Sequence, residues 1–304
     1  MANKFATLVL VKAEAVKGVG ETPTPAANAI RVVSATPNID GTKIERKLVK
    51  TTMGAYAHLI GKKMMSAEIV VEMRGSGTAG TPPEYDPLLQ ACRSVVTNVP
   101  ATSDAYAPSS ADASEKTATV WIYHDGQLYK FIGAVCSCKI DGSMDAIIKM
   151  TFSVQAGYLE PTTTAVASGA VYDSTQPIVM SNACIFNDGA VVNVGSFGLD
   201  LGNELVSHYR TNEDSYSVDD RAPELTFNKD SVSTIAEWQA LNAMTDMSIS
   251  ITLGTVAGNR CVITAPAGRR VSVKPTEDGV RNTRDLTVGL YESTSDDQWQ
   301  LLFN

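Results

Sequence analysis

Ala146-Ile147-Ile148-Lys149-Met150-Thr151-Phe152-Ser153-Val154-Gln155-Ala156 is the stretch on which the fold turns. In an extended chain Ile148, Met150, Phe152 and Val154 share one face, and Lys149, Thr151, Ser153 and Gln155 share the other. A helix would scatter both sets around its circumference. The stretch therefore reads as a long strand with one apolar and one polar side.

The same rhythm continues on both sides of it. Residues 119–123 and 127–132 alternate and flank His124-Asp125-Gly126, and Asp-Gly between two alternating runs is a hairpin signal. Most other apolar segments are short, β-branched and punctuated by Gly, Pro, Asn or Asp, which is an all-β pattern. Helices are expected in two places. Asp86 is placed to cap a helix that starts at Pro87 and runs through Leu88-Leu89-Gln90-Ala91-Cys92. Thr234 and Glu237 have capping-box spacing, with Ile235, Trp238 and Leu241 following at helical period.

Taken in order, the elements repeat. Strands at 44–50 and 67–74, a helix, a hairpin over 120–135 and the long strand at 146–156 are followed by strands at 205–210 and 224–228, a helix, a hairpin over 249–263 and a long strand at 284–292. This order predicts a duplicated β-sandwich domain with one short helix per copy. The expected division is an N-terminal arm (residues 1–21), a first domain (22–160), a linker rich in Thr, Ala and Ser (161–175) and a second domain (176–304). At 304 residues, 44% hydrophobic, the chain suits two ordinary cores. The Ser-, Ala- and Asp-rich stretch 100–116 has no apolar period and reads as a mobile loop.

Charge narrows the function. With 33 acidic against 25 basic side chains the formal net charge is -8, so a surface that grips phosphate throughout is excluded and nucleic acid should be repelled. The apolar run 5–11 is short and interrupted by Thr7, unlike the core of a secretion signal, and no run reaches the ~18 apolar residues of a membrane helix. Cys92, Cys136, Cys138, Cys184 and Cys261 form an odd set without metal spacing, as expected where thiols stay reduced.

Several motifs imitate chemistry. Gly75-Ser76-Gly77-Thr78-Ala79-Gly80 matches a dinucleotide-binding turn in letters, but Thr81-Pro82-Pro83 follows where a helix should open, so it reads as a flexible interface loop. Cys136 and Cys138 share a strand face with no further ligand nearby and read as small core residues. His58, His124 and His208 are scattered, with no nucleophile elbow beside them. Asp219-Asp220 and Asp296-Asp297 lack the spaced ligands of a calcium loop.

At the level of the whole chain a resemblance emerges. Lys12-x-Glu14, Gly20, Thr22-Pro23 and Ala26-Ala27-Asn28-Ala29-Ile30 resemble the opening of phage tail tube proteins, and Gly61-Lys62-Lys63, the strand at 67–74 and Pro87-Leu88-Leu89-Gln90-Ala91-Cys92 resemble their next block. Arg93-Ser94 stands where that family usually has Gly after the helix, which leaves the helix end open. Residues 197–203, 220–226, Leu253-Gly254 and Asp285-Leu286 are similar to the C-terminal domain of two-domain members. The chain thus resembles the major tail tube proteins of long-tailed, siphovirus-type bacteriophages. The resemblance implies a tail tube β-sandwich used twice per chain, trimeric rings lined by a β-barrel and stacked into a hollow tube, and a structural role without enzymatic activity or cofactor. Implied partners are further copies of the chain, the tail terminator, distal tail and tape measure proteins, and double-stranded DNA that passes without sticking. No membrane is involved, and the place is the virion tail after assembly in the host cytoplasm. The rival readings are an immunoglobulin-like surface module, which disulfides or a secretion signal would support, a hydrolase, which would need a cleft with convergent polar groups, and the inner tube or terminator of a contractile injection system.

Within that picture residues take roles. Glu68, Glu72, Glu224, Thr226 and Asn228 alternate away from the core and are expected to line the lumen. Phe5, Leu8, Leu10, Lys12 and Glu14 of the arm, with Tyr85 and the loops 75–85 and 100–116, are expected to stack ring on ring. Arg269 and Arg270 are expected at a subunit interface.

Overall fold

Extended chain dominates the computed structural model, which describes residues 7–181, 184–211, 213–231 and 235–304. The deciding stretch forms strand Lys149–Gly157, with Met150, Phe152 and Val154 buried and Lys149 and Ser153 exposed. On one side it pairs with Leu59–Glu72, which pairs with Ser34–Ile44; on the other it pairs with Gln127–Ser143. The order then recurs. Arg281–Leu290 lies between Glu224–Asp230, which pairs with Val194–Asp200, and Asn259–Asp278. The two sets of four strands meet edge to edge, because Gln127–Ser143 pairs with Val194–Asp200. All these pairings are antiparallel, so one face runs unbroken from Ser34–Ile44 to Asn259–Asp278.

The two longest strands also build a second layer. The first part of Gln127–Ser143 pairs with Ala118–His124, and that strand pairs with Leu8–Ala13. Likewise the first part of Asn259–Asp278 pairs with Asp246–Val256, which pairs with Cys184–Asn187. Gly133 sits at φ 64 on Gln127–Ser143, close to where its pairing passes from one layer to the other, and glycine takes that backbone without strain. The hairpin turn at Asp125 (φ 51) and Gly126 (φ 73) has the two positive φ values of a type I′ turn, whose twist matches the strands it joins.

Among the described residues the largest apolar cluster runs from Val9 to Phe303 through both halves, with two smaller clusters around Leu10 and Val135. Two strand pairings join the halves: the edge joint, and a clip in which Gln300–Phe303 pairs with Ser103–Pro108. The Phe303 ring stands edge-on to Tyr106 at 5.9 Å and to Tyr85 at 6.2 Å.

Other expectations need correction. The strand expected at 44–50 lies upstream, at Ser34–Ile44, and residues 45–58 carry no strand; Leu48 and Val49 are exposed. Stretch 100–116 is no simple loop, since Ser103–Pro108 alternates with Asp104, Tyr106 and Pro108 inward and is held between two strands. Asp86 lies inside helix Asp86–Ala91, after Tyr85 at the N-cap, and its carboxylate accepts from Gln90 Nε2 (2.8 Å) and Tyr106 Oη (2.7 Å). The second helix, Ala236–Asn242, is present, while Thr234 of the expected capping box lies outside the described residues. A further turn of helix, Pro25–Asn28, joins the two expected ones.

Candidate functional site

Register decides which residues share the polar side of the long face. Glu68 stands opposite Ser153, which stands opposite Ser137; Lys139 stands opposite Asp200, and Asp200 opposite Glu224; Thr226 stands opposite Thr287 and Asn228 opposite Asp285. Directly opposed residues project to the same side of a sheet. Glu68, Glu72, Glu224, Thr226 and Asn228, distant in sequence and in separate halves, therefore project from one surface. Around the joint between the halves that surface is hollowed by a groove of about 1050 Å³, lined by Asp141, Lys149, Thr151, Ser196, Thr226, Asn228, Lys274 and Asp285 among others.

The surface is polar and tilts acidic. Asp40, Glu68, Glu72, Asp141, Asp200, Glu224, Asp230 and Asp285 share it with Lys62, Lys139, Lys149, Arg269, Lys274 and Arg281. Some of the charge is tied down. Lys139 reaches Asp141 at 3.7 Å, Arg74 Nη2 donates to Glu72 at 3.0 Å, and Asn228 Nδ2 donates to Asp285 at 2.6 Å. Glu68 and Glu224 are exposed and engaged in none of these pairs. The lysines of this face were not assigned to it from the sequence, although the alternation in 146–156 already placed Lys149 on the polar side. Hairpin Asn203–Arg221 folds over one end of the face, where Tyr216 and Val218 bury Val135. Lys62 lies under it, 4.9 Å from the Tyr209 and Tyr216 rings and 3.0 Å from Asp214.

The residues expected to stack rings are mostly held inside the chain. Leu8 and Leu10 are buried in strand Leu8–Ala13, so residues 8–13 are part of the sandwich and no free arm. Glu14 is buried and accepts from Thr117 Oγ1 (2.5 Å), Thr119 Oγ1 (2.7 Å) and the Gly133 N–H (2.8 Å). Lys12 pairs with Glu21 at 2.9 Å. Tyr85 is fully buried, its hydroxyl donating to the Arg74 carbonyl at 2.7 Å. Phe5 lies outside the described residues. Arg270 is spent within the chain, since its Nε donates to Glu237 at 2.7 Å while Lys229 pairs with the other oxygen of that carboxylate. Arg269 is exposed and pairs with Asp246 at 2.6 Å.

The motifs that imitated chemistry resolve into structure. Gly75 and Gly77 abut the turn of the second half's hairpin: the Gly75 N–H donates to Asn259 Oδ1 (2.8 Å) and the Gly77 N–H to the Gly258 carbonyl (3.0 Å). The glycine loop is an ordered contact between halves, not a flexible one. Cys136 and Cys138 lie in the core, where burial pushes the Cys138 thiol well above its ordinary value. His208 Nε2 lies 2.7 Å from Ser217 Oγ and 3.3 Å from Asp219 on the exposed Asn203–Arg221 hairpin. Hydroxyl and carboxylate thus address the same ring nitrogen, whereas a proton relay needs one on each. Asp296 meets Ser110 Oγ (2.5 Å) and Arg221 Nη2 (3.3 Å), and so helps to tie the two halves together.

A family model described as phage tail tube protein matches residues 5–289. No curated protein matches the chain.

Proposed function

The chain belongs to the phage tail tube protein family, and from that premise we propose that three copies close into a ring and that rings stack into the hollow tube of a long, siphovirus-type tail. As a member of the family it is a structural component of a phage tail tube. The observation that carries the ring reading is the long sheet face: the same strand order twice, joined edge to edge, hollowed around the joint on its polar side. Each half then acts as one tail tube domain of a duplicated pair, and one chain is a third of a ring in which the edges left free in the monomer are paired.

Dimensions agree with the passage of DNA. Six halves of four strands make about 24 strands; at roughly 4.8 Å spacing and roughly 40° tilt they form a cylinder about 48 Å across at the backbone. Side chains of about 5 Å on each wall leave room for duplex DNA about 20 Å wide. The acidic residues of the polar face then repel phosphate and deny it the basic contacts that bind DNA through counterion release. Passage without sticking is the function this lining serves. The tail terminator, distal tail and tape measure proteins meet the stacked rings, and assembly takes place in the host cytoplasm.

Electron microscopy of the purified chain tests the reading. Open-ended hollow tubes built of threefold rings are expected; a chain that stays monomeric at all concentrations, or forms closed particles, contradicts it.

A further inference from the structure

We propose that hairpin Asn203–Arg221 is a latch, closed over one end of the shared polar face in the lone chain and swung clear of that face in the assembled tube. The proposal rests on the ring reading above and adds a movement that the ring needs before DNA can pass.

No ladder ties the hairpin down. Its two strands pair with each other and, among the described residues, with no other strand. Side chains hold it instead. Tyr216 and Val218 close on Val135 in a small apolar cluster separate from the main one, with Met64 and Leu205 packed at its margin. Lys62 lies 4.9 Å from the Tyr209 and Tyr216 rings and 3.0 Å from Asp214, and Arg93 Nη1 donates to the Val218 carbonyl. Such contacts part without breaking a strand pairing, which is the condition for an opening that costs less than unfolding.

The root of the hairpin is fixed. Asn203 Nδ2 donates to the Cys92 carbonyl (2.8 Å) and the Cys136 carbonyl (3.2 Å), and Arg221 Nη2 reaches Asp296 at 3.3 Å. Just above the root the ladder slips: Glu204 faces Asp220 but Leu205 faces Val218, so Asp219 is left out of it. A bulge of this kind bends a ribbon and marks where the hairpin hinges. The equivalent connection in the first half shows the released state. Residues 45–58, which join Ser34–Ile44 to Leu59–Glu72 as the hairpin joins Val194–Asp200 to Glu224–Asp230, carry no strand, and Val49 and Met53 are fully exposed.

Size decides against a closed latch in a conducting tube. The hairpin lies on the polar side of the sheet, above Lys62, Met64, Val135 and Gly157: Met64 stands opposite Gly157, and Val135 opposite Gln155, which stands opposite Ser66. In the proposed ring that side is the wall of the lumen. A second sheet packs roughly 10 Å above the one it covers. On the wall of a cylinder about 48 Å across, three closed hairpins carrying about 5 Å of side chain leave an opening of about 18 Å, narrower than duplex DNA at roughly 20 Å. With the hairpins swung off, the same wall clears the duplex. The closed form thus belongs to the lone chain, where it covers Val135 and the apolar part of Lys62, and the open form to the tube.

The test is a cysteine pair read before and after assembly. A Cβ at Gly157 would lie 3.5 Å from Asp214 Cγ, the place a cysteine sulfur would take, so a Gly157→Cys, Asp214→Cys variant brings two thiols within disulfide reach only when the latch is closed. Oxidised with copper phenanthroline as the lone chain, it should lose both introduced thiols to an intrachain disulfide and then form tubes with at least tenfold lower yield, restored by dithiothreitol. Oxidised after assembly in the reduced form, it should keep both thiols. A lone chain that does not crosslink, tubes that crosslink as completely as the lone chain, or locked chains that assemble at normal yield each overturn the latch and leave the tube reading standing; absence of rings in the unaltered chain overturns the ring reading itself. A density map of unaltered tubes decides the same point without substitution: Tyr216 away from Val135 supports the latch, and Tyr216 still packed on Val135 overturns it.

Discussion

Gly75 and Gly258 show how single residues fix the relation of the halves. A Cβ added to Gly75 would lie 2.1 Å from the Gly258 carbonyl oxygen, and that oxygen belongs to backbone and cannot rotate away. Gly75→Ala should therefore separate the glycine loop from the hairpin turn and lower stability by about 2 kcal/mol in urea unfolding. Gly195→Ala, whose Cβ would meet Asn228 Oδ1 at an ordinary 3.6 Å, should cost well under half of that. Glu237 offers a second residue-scale test. Burial raises its carboxyl, but Lys229 and Arg270 outweigh burial and hold it below the ordinary value. A depressed pKa means stability that is present above the ordinary value of about 4.3 and lost as pH falls through the lower folded one. Glu237→Gln leaves two buried cations without their anion and should cost about 3 kcal/mol at pH 7. It should also flatten the loss of stability below about pH 4, and an unchanged acid limb in the variant would reject this account of Glu237.

Among elements, strand Leu8–Ala13 departs most from its expected role. It pairs along its whole length with Ala118–His124 and buries Leu8, Val9, Leu10 and Val11. Leu10→Ala should cost about 3 kcal/mol, and removing residues 2–21 should weaken the β-sheet circular dichroism and not merely prevent stacking. A truncated chain with an intact sheet signal would restore the free-arm reading. Elements whose burial pattern is written in their own residues were legible: the alternation in 146–156, the Asp-Gly turn and the helix at Leu88-Leu89 all appear in the structure. What failed depends on partners elsewhere in the chain. Ser34–Ile44 contains Pro37, Asn38, Asp40 and Gly41, poor strand formers held extended by Leu59–Glu72, and Ser103–Pro108 is a strand because Ser94–Val99 and Gln300–Phe303 hold it from either side. For the candidate site, alternation grouped the polar residues strand by strand, but only register shows that those of both halves share one surface. The in-chain partner of Arg270 was not legible because nothing local reveals a buried carboxylate on a helix at Glu237.

For the whole molecule, one chain carries two joined sheets whose shared polar face is hollowed around the joint and whose outer edges have no partner among the described residues, and the proposed ring rests on that geometry. Reversing charge on the polar face tests what the lining does. Glu72 is a poor choice because it holds Arg74, whereas Glu68 and Glu224 are exposed, one in each half. A Glu68→Lys, Glu224→Lys variant should assemble tubes of normal length, retain DNA in a salt-dependent manner and slow its release by tenfold or more. Normal DNA release from tubes with those lysines in the channel would remove the electrostatic argument. The central claim, that one chain with its two joined sheets is a third of a ring, is tested most directly by the rotational symmetry and inner wall of an assembled tube in cryo-electron microscopy. The account predicts threefold rings with about 24 strands around the lumen and Glu68 and Glu224 facing it; rings of six whole chains, or a lumen lined by any other face, would contradict it.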